Sequence, residues 1–277
     1  MLRLLALAIV PLALVSGTAA AGGGPSPGIV TGWDGVVDAP RSVRYVALPS
    51  ARTTAVAAVR TSDGRVLRWT TLRGVYGVAT VAFDGTTEGV SRDGDLLVLA
   101  GIGAQAGPTR FAVLRTSPLR LRKAITLPGL WAYDALSPDG RILYATQYHG
   151  TGQNAGYDVR AVSLVTGRPV GGPLVDKREP DEEMNGSPWA RARSNDGAWA
   201  YTLYAKPNGT AFVHALDTAR RRAFCVDLPW RSSIQRLAAV KLSLADGDRT
   251  LVLTKSRSRK LAAIDTRSFR VRAFAKP

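Results

Sequence analysis

Beyond its first 21 residues the chain alternates short apolar, β-rich runs with short polar turns. No stretch carries the 3.6-residue period of a long amphipathic helix. The alternation also repeats. "VSRDGDLLVLAG" (Val90 to Gly101), "LSPDGRILYATQY" (Leu136 to Tyr148), "RSNDGAWAYTLYAK" (Arg193 to Lys206) and "LADGDRTLVLTKS" (Leu244 to Ser256) each place an Asp-Gly pair before a strand-like run. The pairs begin at 93, 139, 196 and 246, so they recur every 46, 57 and 50 residues. After each comes a strand, a polar turn and another strand: "TRFAVLRTSPLRLRKAITLPG", "YDVRAVSLVTGRPVGGPLV", "TAFVHALDTARRRAFCVDLP" and "RKLAAIDTRSFRVRAFAKP". A partial earlier copy, "TTAVAAVRTSDGRVLRWTTLRG", runs from Thr53 to Gly74.

Each unit therefore predicts four antiparallel strands: A into the Asp-Gly turn, B out of it, then C and D. One small sheet cannot bury both its faces, but sheets stacked face to face around an axis can. The repeat length is that of propeller blades. The fold class predicted is all-β, a β-propeller of four-stranded blades. Five units fall at about 30–74, 75–129, 130–188, 189–235 and 236–277, with six or seven blades as alternatives. The N-terminal "GIVTGWDGVV" is a candidate inner strand that closes the ring beside the C-terminal strands.

"LSPDGRILYATQY" with "RAVSLVTGRPV", and "ALDTARRRAF" and "AIDTRSFRVRAF" downstream, resemble the YVTN/TolB/WD40-like bacterial β-propeller superfamily. The resemblance covers about Val36 to Pro277. It implies a Ser-Pro-Asp-Gly turn between strands A and B and an Asp-Thr turn between C and D. It implies nothing definite about function. Pro138 stands in only one unit, and the first unit lacks its A–B Asp-Gly turn.

The Asp-Gly turns read as structure. Glycine takes positive φ at little cost, and aspartate bonds nearby backbone N–H groups. Asp93, Asp139, Asp196 and Asp246 occupy equivalent places in different blades, so closure disperses them, whereas a metal site or acid pair needs convergence.

The first 21 residues have a separate character. Met1-Leu2-Arg3 starts positive, Leu4 to Val15 is apolar, and a small-residue tract ends at Ala21. This is the anatomy of a signal peptide, too short to span a bilayer; a retained anchor is the alternative. Residues 22–29, "GGGPSPG" and its neighbour, read as a linker, leaving 30–277 as one propeller domain. The predicted location is secreted or associated with the cell envelope, with no transmembrane segment after cleavage. The lone Cys225 forms no internal disulfide and reads as a small hydrophobe in a strand.

The formal charge of +16 comes from 37 basic and 21 acidic residues. From Thr210 to Pro277 there are 15 basic and 5 acidic residues, so one side of the molecule should be basic. The basic candidates are Arg220, Arg221, Arg222, Lys255, Arg257, Arg259, Arg270 and Arg272. Charged outer strands also discourage edge-to-edge association, consistent with a monomer. An exported protein of this charge meets anionic envelope polymers rather than nucleic acid, for which no fold signature is present.

The A–B and C–D turns should share one face of the propeller, and the B–C and D–A loops the other. The second face carries the long loops Tyr148 to Asp158 and Val175 to Trp189, where binding tends to sit. Candidates there are Tyr148, His149, Asp176, Glu179, Asp181, Glu182 and Glu183. Trp131, Trp189 and Trp230 could line a central pocket or pack between blades. The acidic loop 176–183 admits Ca²⁺, although its spacing is not that of an EF-hand and a solvated acidic loop is the reading preferred. No other cofactor is implied. No Ser/His/Asp signature, zinc spacing or phosphate loop occurs, and the glycines of "AGIGAQAG" join two strands rather than opening a helix. Two functional readings remain. One is a non-enzymatic binding or scaffold module holding a protein or anionic envelope polymer. The other is a lactonase-like hydrolase or lyase at the axial mouth of the long-loop face, where His149 and the carboxylates of 176–183 are available.

Overall fold

The computed structural model describes residues 34–102, 107–149, 156–179, 184–255 and 259–277. The expected leader and linker lie outside the described residues, as do Asp181, Glu182, Glu183 and Arg257. The described chain is almost wholly β, in five antiparallel sheets that follow one another in sequence. The first sheet holds β1 (Val36–Asp38), β2 (Val43–Pro49), β3 (Thr53–Arg60) and β4 (Val66–Arg73). The second holds β5 (Tyr76–Thr80), β6 (Thr87–Glu88), β7 (Leu96–Gly101), β8 (Thr109–Thr116) and β9 (Leu119–Leu127), in the order β6-β5-β7-β8-β9. The third holds β10 (Trp131–Leu136), β11 (Ile142–His149) and β12 (Gly156–Ser163). The fourth holds β13 (Ser187–Arg193), β14 (Trp199–Ala205), β15 (Thr210–Asp217) and β16 (Arg222–Arg231). After the single turn α1 (Ile234–Leu237), the fifth holds β17 (Val240–Ala245), β18 (Thr250–Lys255), β19 (Arg259–Asp265) and β20 (Val271–Ala273). Each sheet is one blade of a β-propeller. Among the described residues no helix is long and apolar enough to cross a membrane.

The blades stack through apolar faces. One core cluster joins the first and second blades around Tyr45, Leu97 and Leu99. Others join the second to the third around Phe111 and Leu143, the third to the fourth around Tyr144 and Val159, and the fourth to the fifth around Leu203 and Leu253. Among the described residues no core cluster spans the fifth and first blades. Most of the expected closing strand, residues 28–33, lies outside the described residues. Val36, Val37 and Asp38 pair with Tyr45, Arg44 and Val43 of their own blade. Strand β2 supplies the nearest unpaired edge, so local antiparallel pairing wins over a contact across the whole chain.

The turns repeat with the units. Ser91, Ser137 and Ser194 each donate a hydroxyl hydrogen bond to the aspartate two residues on, at 2.5 to 2.6 Å. Those aspartates accept the N–H groups of Asp95, Arg141 and Ala198 at 2.9 to 3.0 Å. At the start of each C–D turn an N–H reaches back to the A–B turn of its blade: Thr61 to Ser42, Thr116 to Asp95, Leu164 to Arg141, Thr218 to Ala198 and Thr266 to Arg249. Both turn sets therefore lie on one face.

Two departures from the expected unit matter for function. The third blade has three regular strands; its fourth edge is the chain 168–174, held by a bridge from Val162 to Pro169 and bonds from Val170 and Leu174 to β12. The sequence there, "RPVGGPLV", has two prolines that cannot donate and two glycines that weaken a strand. The second departure is an insertion within strand A of the second blade. Strand β5 pairs with β7 up to Val78 and then leaves it; residues 79–88 form a hairpin in which Ala79 and Thr80 face Glu88 and Thr87. Gly89 returns the chain to β7, accepting the Val98 N–H at 2.8 Å. Its φ is +133°, and a Cβ there would lie 2.5 Å from the Val98 carbonyl, so glycine is required.

Candidate functional site

The inserted hairpin reaches from the second blade across to the inner strands of the first and fourth. Its turn is closed by the Val81 N–H on the Thr86 carbonyl and by Asp84, which accepts from both the N–H and the hydroxyl of Thr86. The tip crosses to the fourth blade, where the Phe83 and Asp84 N–H groups donate to the Pro188 and Trp189 carbonyls at 2.9 and 3.1 Å. The Phe83 and Trp189 rings lie 4.8 Å apart. On the first-blade side, the Thr87 hydroxyl donates to the Gly35 carbonyl. The hairpin thus ties three blades together at the axis.

A buried charge network sits beneath it. Arg191 of β13 donates Nε to Glu88 of the hairpin at 2.9 Å, Nη1 to Asp134 of β10 at 2.8 Å and to the Thr202 hydroxyl, and Nη2 to the Asp134 carbonyl. All of these side chains are buried. Burial alone would lower the Arg191 pKa; Glu88 and Asp134 more than reverse that, so it stays charged. Arg193 adds a longer ion pair to Glu88 at 3.8 Å. Nearby on the same blade, His214 is fully buried and its pKa is pushed down to about 4, by burial first and Arg191 second, with Asp134 and Asp176 opposing.

The predicted long-loop candidates separate. Tyr148 stands at the axis, its ring 5.8 Å from Tyr157, with burial pushing its hydroxyl pKa up. His149 is half-exposed and bonds Asp158 at 2.8 Å across the β11–β12 hairpin, with no arginine joining the pair among the described residues. Asp176 is buried; Arg178 binds both its oxygens and the Cys225 N–H adds a bond at 2.8 Å. Burial would raise its pKa, and the Arg178 bonds bring it below the ordinary carboxylate value. Asp176 is thus a clamp fixing the loop to the fourth blade. Glu179 is exposed, its N–H on the Asp176 carbonyl. Trp131 is buried between the second and third blades with its indole N–H on the Pro128 carbonyl, and Trp230 between the fourth and fifth. Of the three tryptophans only Trp189 reaches the axis.

The basic candidates converge in part. On the turn face, between the fourth and fifth blades, lies a cleft of about 620 Å³. Its floor is aromatic: Trp199 lies 6.1 Å from Phe224 and 5.8 Å from Phe269, and Phe224 lies 4.9 Å from Phe269. Its walls carry Arg178, Arg220, Arg222, Arg249 and Arg267, against Asp196 and Asp248. Arg178 and Arg222 stand over the Phe224 ring at 5.3 and 5.7 Å. Asp217, fully buried, holds Arg222 at 2.8 Å and Arg220 at 3.6 Å. These are fixed cations over ring faces, an arrangement suited to anionic groups and flat moieties. Of the other basic candidates, Arg221 is exposed in the adjoining turn with φ +55°, and Arg270 is exposed. Arg272 covers Phe274 at 5.1 Å, and Lys255 and Arg259 face each other across β18 and β19.

The sequence reading missed Arg178, Arg249 and the aromatic floor. The signal available was the shared Asp-Thr turn of "ALDTARRRAF" and "AIDTRSFRVRAF", each bringing Phe and Arg to one place. It also missed the axial hairpin, signalled by one further Asp-Gly pair, Asp84-Gly85, only nine residues before the next.

No protein-family model and no curated protein sequence matches the chain. Solved structures do. The dihydro-heme d1 dehydrogenase NirN, solved in complex with DHE, aligns over 91% of this chain with a TM-score of 0.51 at 13% identity. A puromycin hydrolase aligns over 87% with a TM-score of 0.51 at 18% identity. The β-propeller domain of Cps50 (Swd1) from Myceliophteria thermophila aligns over 83% of this chain and 69% of its own length, with a TM-score of 0.48 at 14% identity. The chain spans 48% of the dehydrogenase and 36% of the hydrolase. At such identities the likeness is one of fold alone.

Proposed function

We propose that the protein is an exported β-propeller that binds an anionic polymer of the cell envelope through the arginine–aromatic cleft between its fourth and fifth blades. The single observation that carries this reading is the set of five arginines lining a cleft floored by Trp199, Phe224 and Phe269, with Arg178 and Arg222 over the Phe224 ring. Arg249 and Arg267 are exposed there, Arg249 with its Nε on the Asp246 carbonyl at 3.0 Å, while buried Asp217 holds Arg220 and Arg222 in place. Fixed arginines present a planar fork to phosphate or carboxylate, and the rings accept flat or apolar parts of the chain between charges. The basic excess of the last two units supplies a longer-range field toward the same side. The Ser–Asp–Thr bonding of the turns supports membership of the YVTN/TolB/WD40-like group, whose units the sequence resembles.

The hydrolase or lyase reading draws less support. Its site was to be the axial mouth, which the 79–88 hairpin occupies, and His149 is engaged with Asp158 away from an arginine. The test is sedimentation of the full-length protein with envelope fractions at low and high salt. Retention at low salt and release at high salt is expected. Retention that ignores salt, or that is lost when the fractions are treated with protease, points instead to a protein partner and overturns the proposal.

A further inference from the structure

At the axis, on the face where the B–C and D–A loops emerge, a small cavity of about 40 Å³ lies beside the inserted hairpin. Four aromatic residues line it, Phe83, Tyr133, Tyr148 and Tyr204, together with Asp134. They come from the hairpin and from β10, β11 and β14, so the cavity exists only in the assembled propeller. Asp134 is 5% exposed. Its Oδ1 accepts from Arg191, but its Oδ2, also buried, has no hydrogen-bond partner. The Tyr133 hydroxyl is likewise buried and unpartnered. A buried carboxylate oxygen left without a donor is costly, and native proteins keep few. Arg191 does not relieve it: its guanidinium is held by Glu88, Thr202, the Asp134 carbonyl and the other carboxylate oxygen.

We infer that this cavity receives the ammonium head of an alkylamine ligand. Three features select that chemistry. Carboxylate oxygen only accepts, so the occupant must donate. Ring faces carry negative potential, so a cation among them is favoured and an anion is not. The volume admits one aminomethyl-sized group and no more. A hard metal ion would want six or more oxygen ligands, which a site walled by four rings does not offer. The rest of the ligand must stay outside the cavity, against Phe83 and Trp189; the Phe83 side is 47% exposed. The ammonium can belong to a free small amine or to a lysine side chain of a peptide. This site lies on the opposite face from the arginine cleft and does not depend on it.

The experiment is calorimetric titration of the full-length protein with n-butylammonium, with acetyl-lysine amide and with 1-butanol. Saturable binding of at least one cation, about tenfold or more tighter than 1-butanol, is expected. Binding of acetyl-lysine amide at least as tight as n-butylammonium assigns the site to a peptide side chain; the reverse assigns it to a free amine. Phe83→Ala, on a half-exposed hairpin tip, should fold normally and weaken the cation about fivefold. Asp134→Asn should abolish the preference for cation over alcohol. If Asp134→Asn fails to fold, Phe83→Ala decides alone. Equal binding of 1-butanol, no binding of either cation, or unchanged affinity in Phe83→Ala overturns the inference.

Discussion

Asp139 sits on the turn face of the third blade, its carboxylate between the Ser137 hydroxyl and the Arg141 N–H. Burial opposes the charge, but these bonds and Arg141 outweigh it, so its pKa lies below the ordinary value. Asp139→Ala should lower unfolding stability by about 1 kcal/mol in urea denaturation, and Asp139→Asn, which keeps an acceptor, by much less. Neither should change ligand binding. His214 makes a larger, pH-dependent contribution. Its imidazole titrates near 4 in the fold, against 6.5 for an unperturbed histidine, because burial disfavours the charged form. The unfolded chain therefore binds the proton first. Stability should be full above about pH 6.5 and fall by about 3 kcal/mol as the pH drops to 4. Urea titrations across that window should show the slope, and His214→Leu should flatten it. The turn role of Asp139 was readable from sequence, because four copies of one Asp-Gly pattern cannot converge on a site. The burial of His214 was readable only as a histidine within an apolar strand. Its charged neighbours come from β10 and β13 and the strap at Asp176, which sequence spacing does not bring together.

At the scale of elements, the hairpin 79–88 determines what the propeller axis can do. It replaces an open channel with a strand pair, a tip on the fourth blade and an ion-pair network reaching three blades. Glu88→Gln would leave Arg191 buried with one carboxylate instead of two. A loss of about 3 kcal/mol is expected, because a buried charge is stripped of a partner. Chemical denaturation of the variant checks this, and a loss below about 1 kcal/mol would show that the hairpin is docked by its backbone alone. The blade units themselves were legible: the five predicted segments match the five observed sheets, the fourth sheet starting two residues early at Ser187. Their edges were less so. The fourth strand of the third blade fails because "RPVGGPLV" has two prolines without N–H groups and two glycines without side chains to hold a regular ladder. The hairpin escaped because a single short insertion has no second copy with which to be compared. The described start of the chain, residues 36–38, pairs with partners 5 to 9 residues away, which needs no long loop closure.

Over the whole molecule, charge and shape divide between two faces. The turn face carries the arginine–aromatic cleft, which the strap at Asp176 reaches through Arg178, and the loop face carries the axial cavity. The basic excess of the last two units was visible in composition. That it gathers over aromatic rings was not, since Arg178 arrives from the third unit and the floor from the fourth and fifth. The central claim is that this cleft holds anionic polymer. It is tested most directly by the affinity of the full-length protein for short-chain polyphosphate, set against uncharged dextran and repeated with the double variant Arg249→Glu/Arg267→Glu. Both arginines are exposed in the cleft, and neither supports the core. Salt-sensitive binding of polyphosphate alone, weakened about tenfold or more in a variant that melts like the parent, is the predicted result. Equal affinity of parent and variant, or binding of dextran as tight as that of polyphosphate, would contradict it.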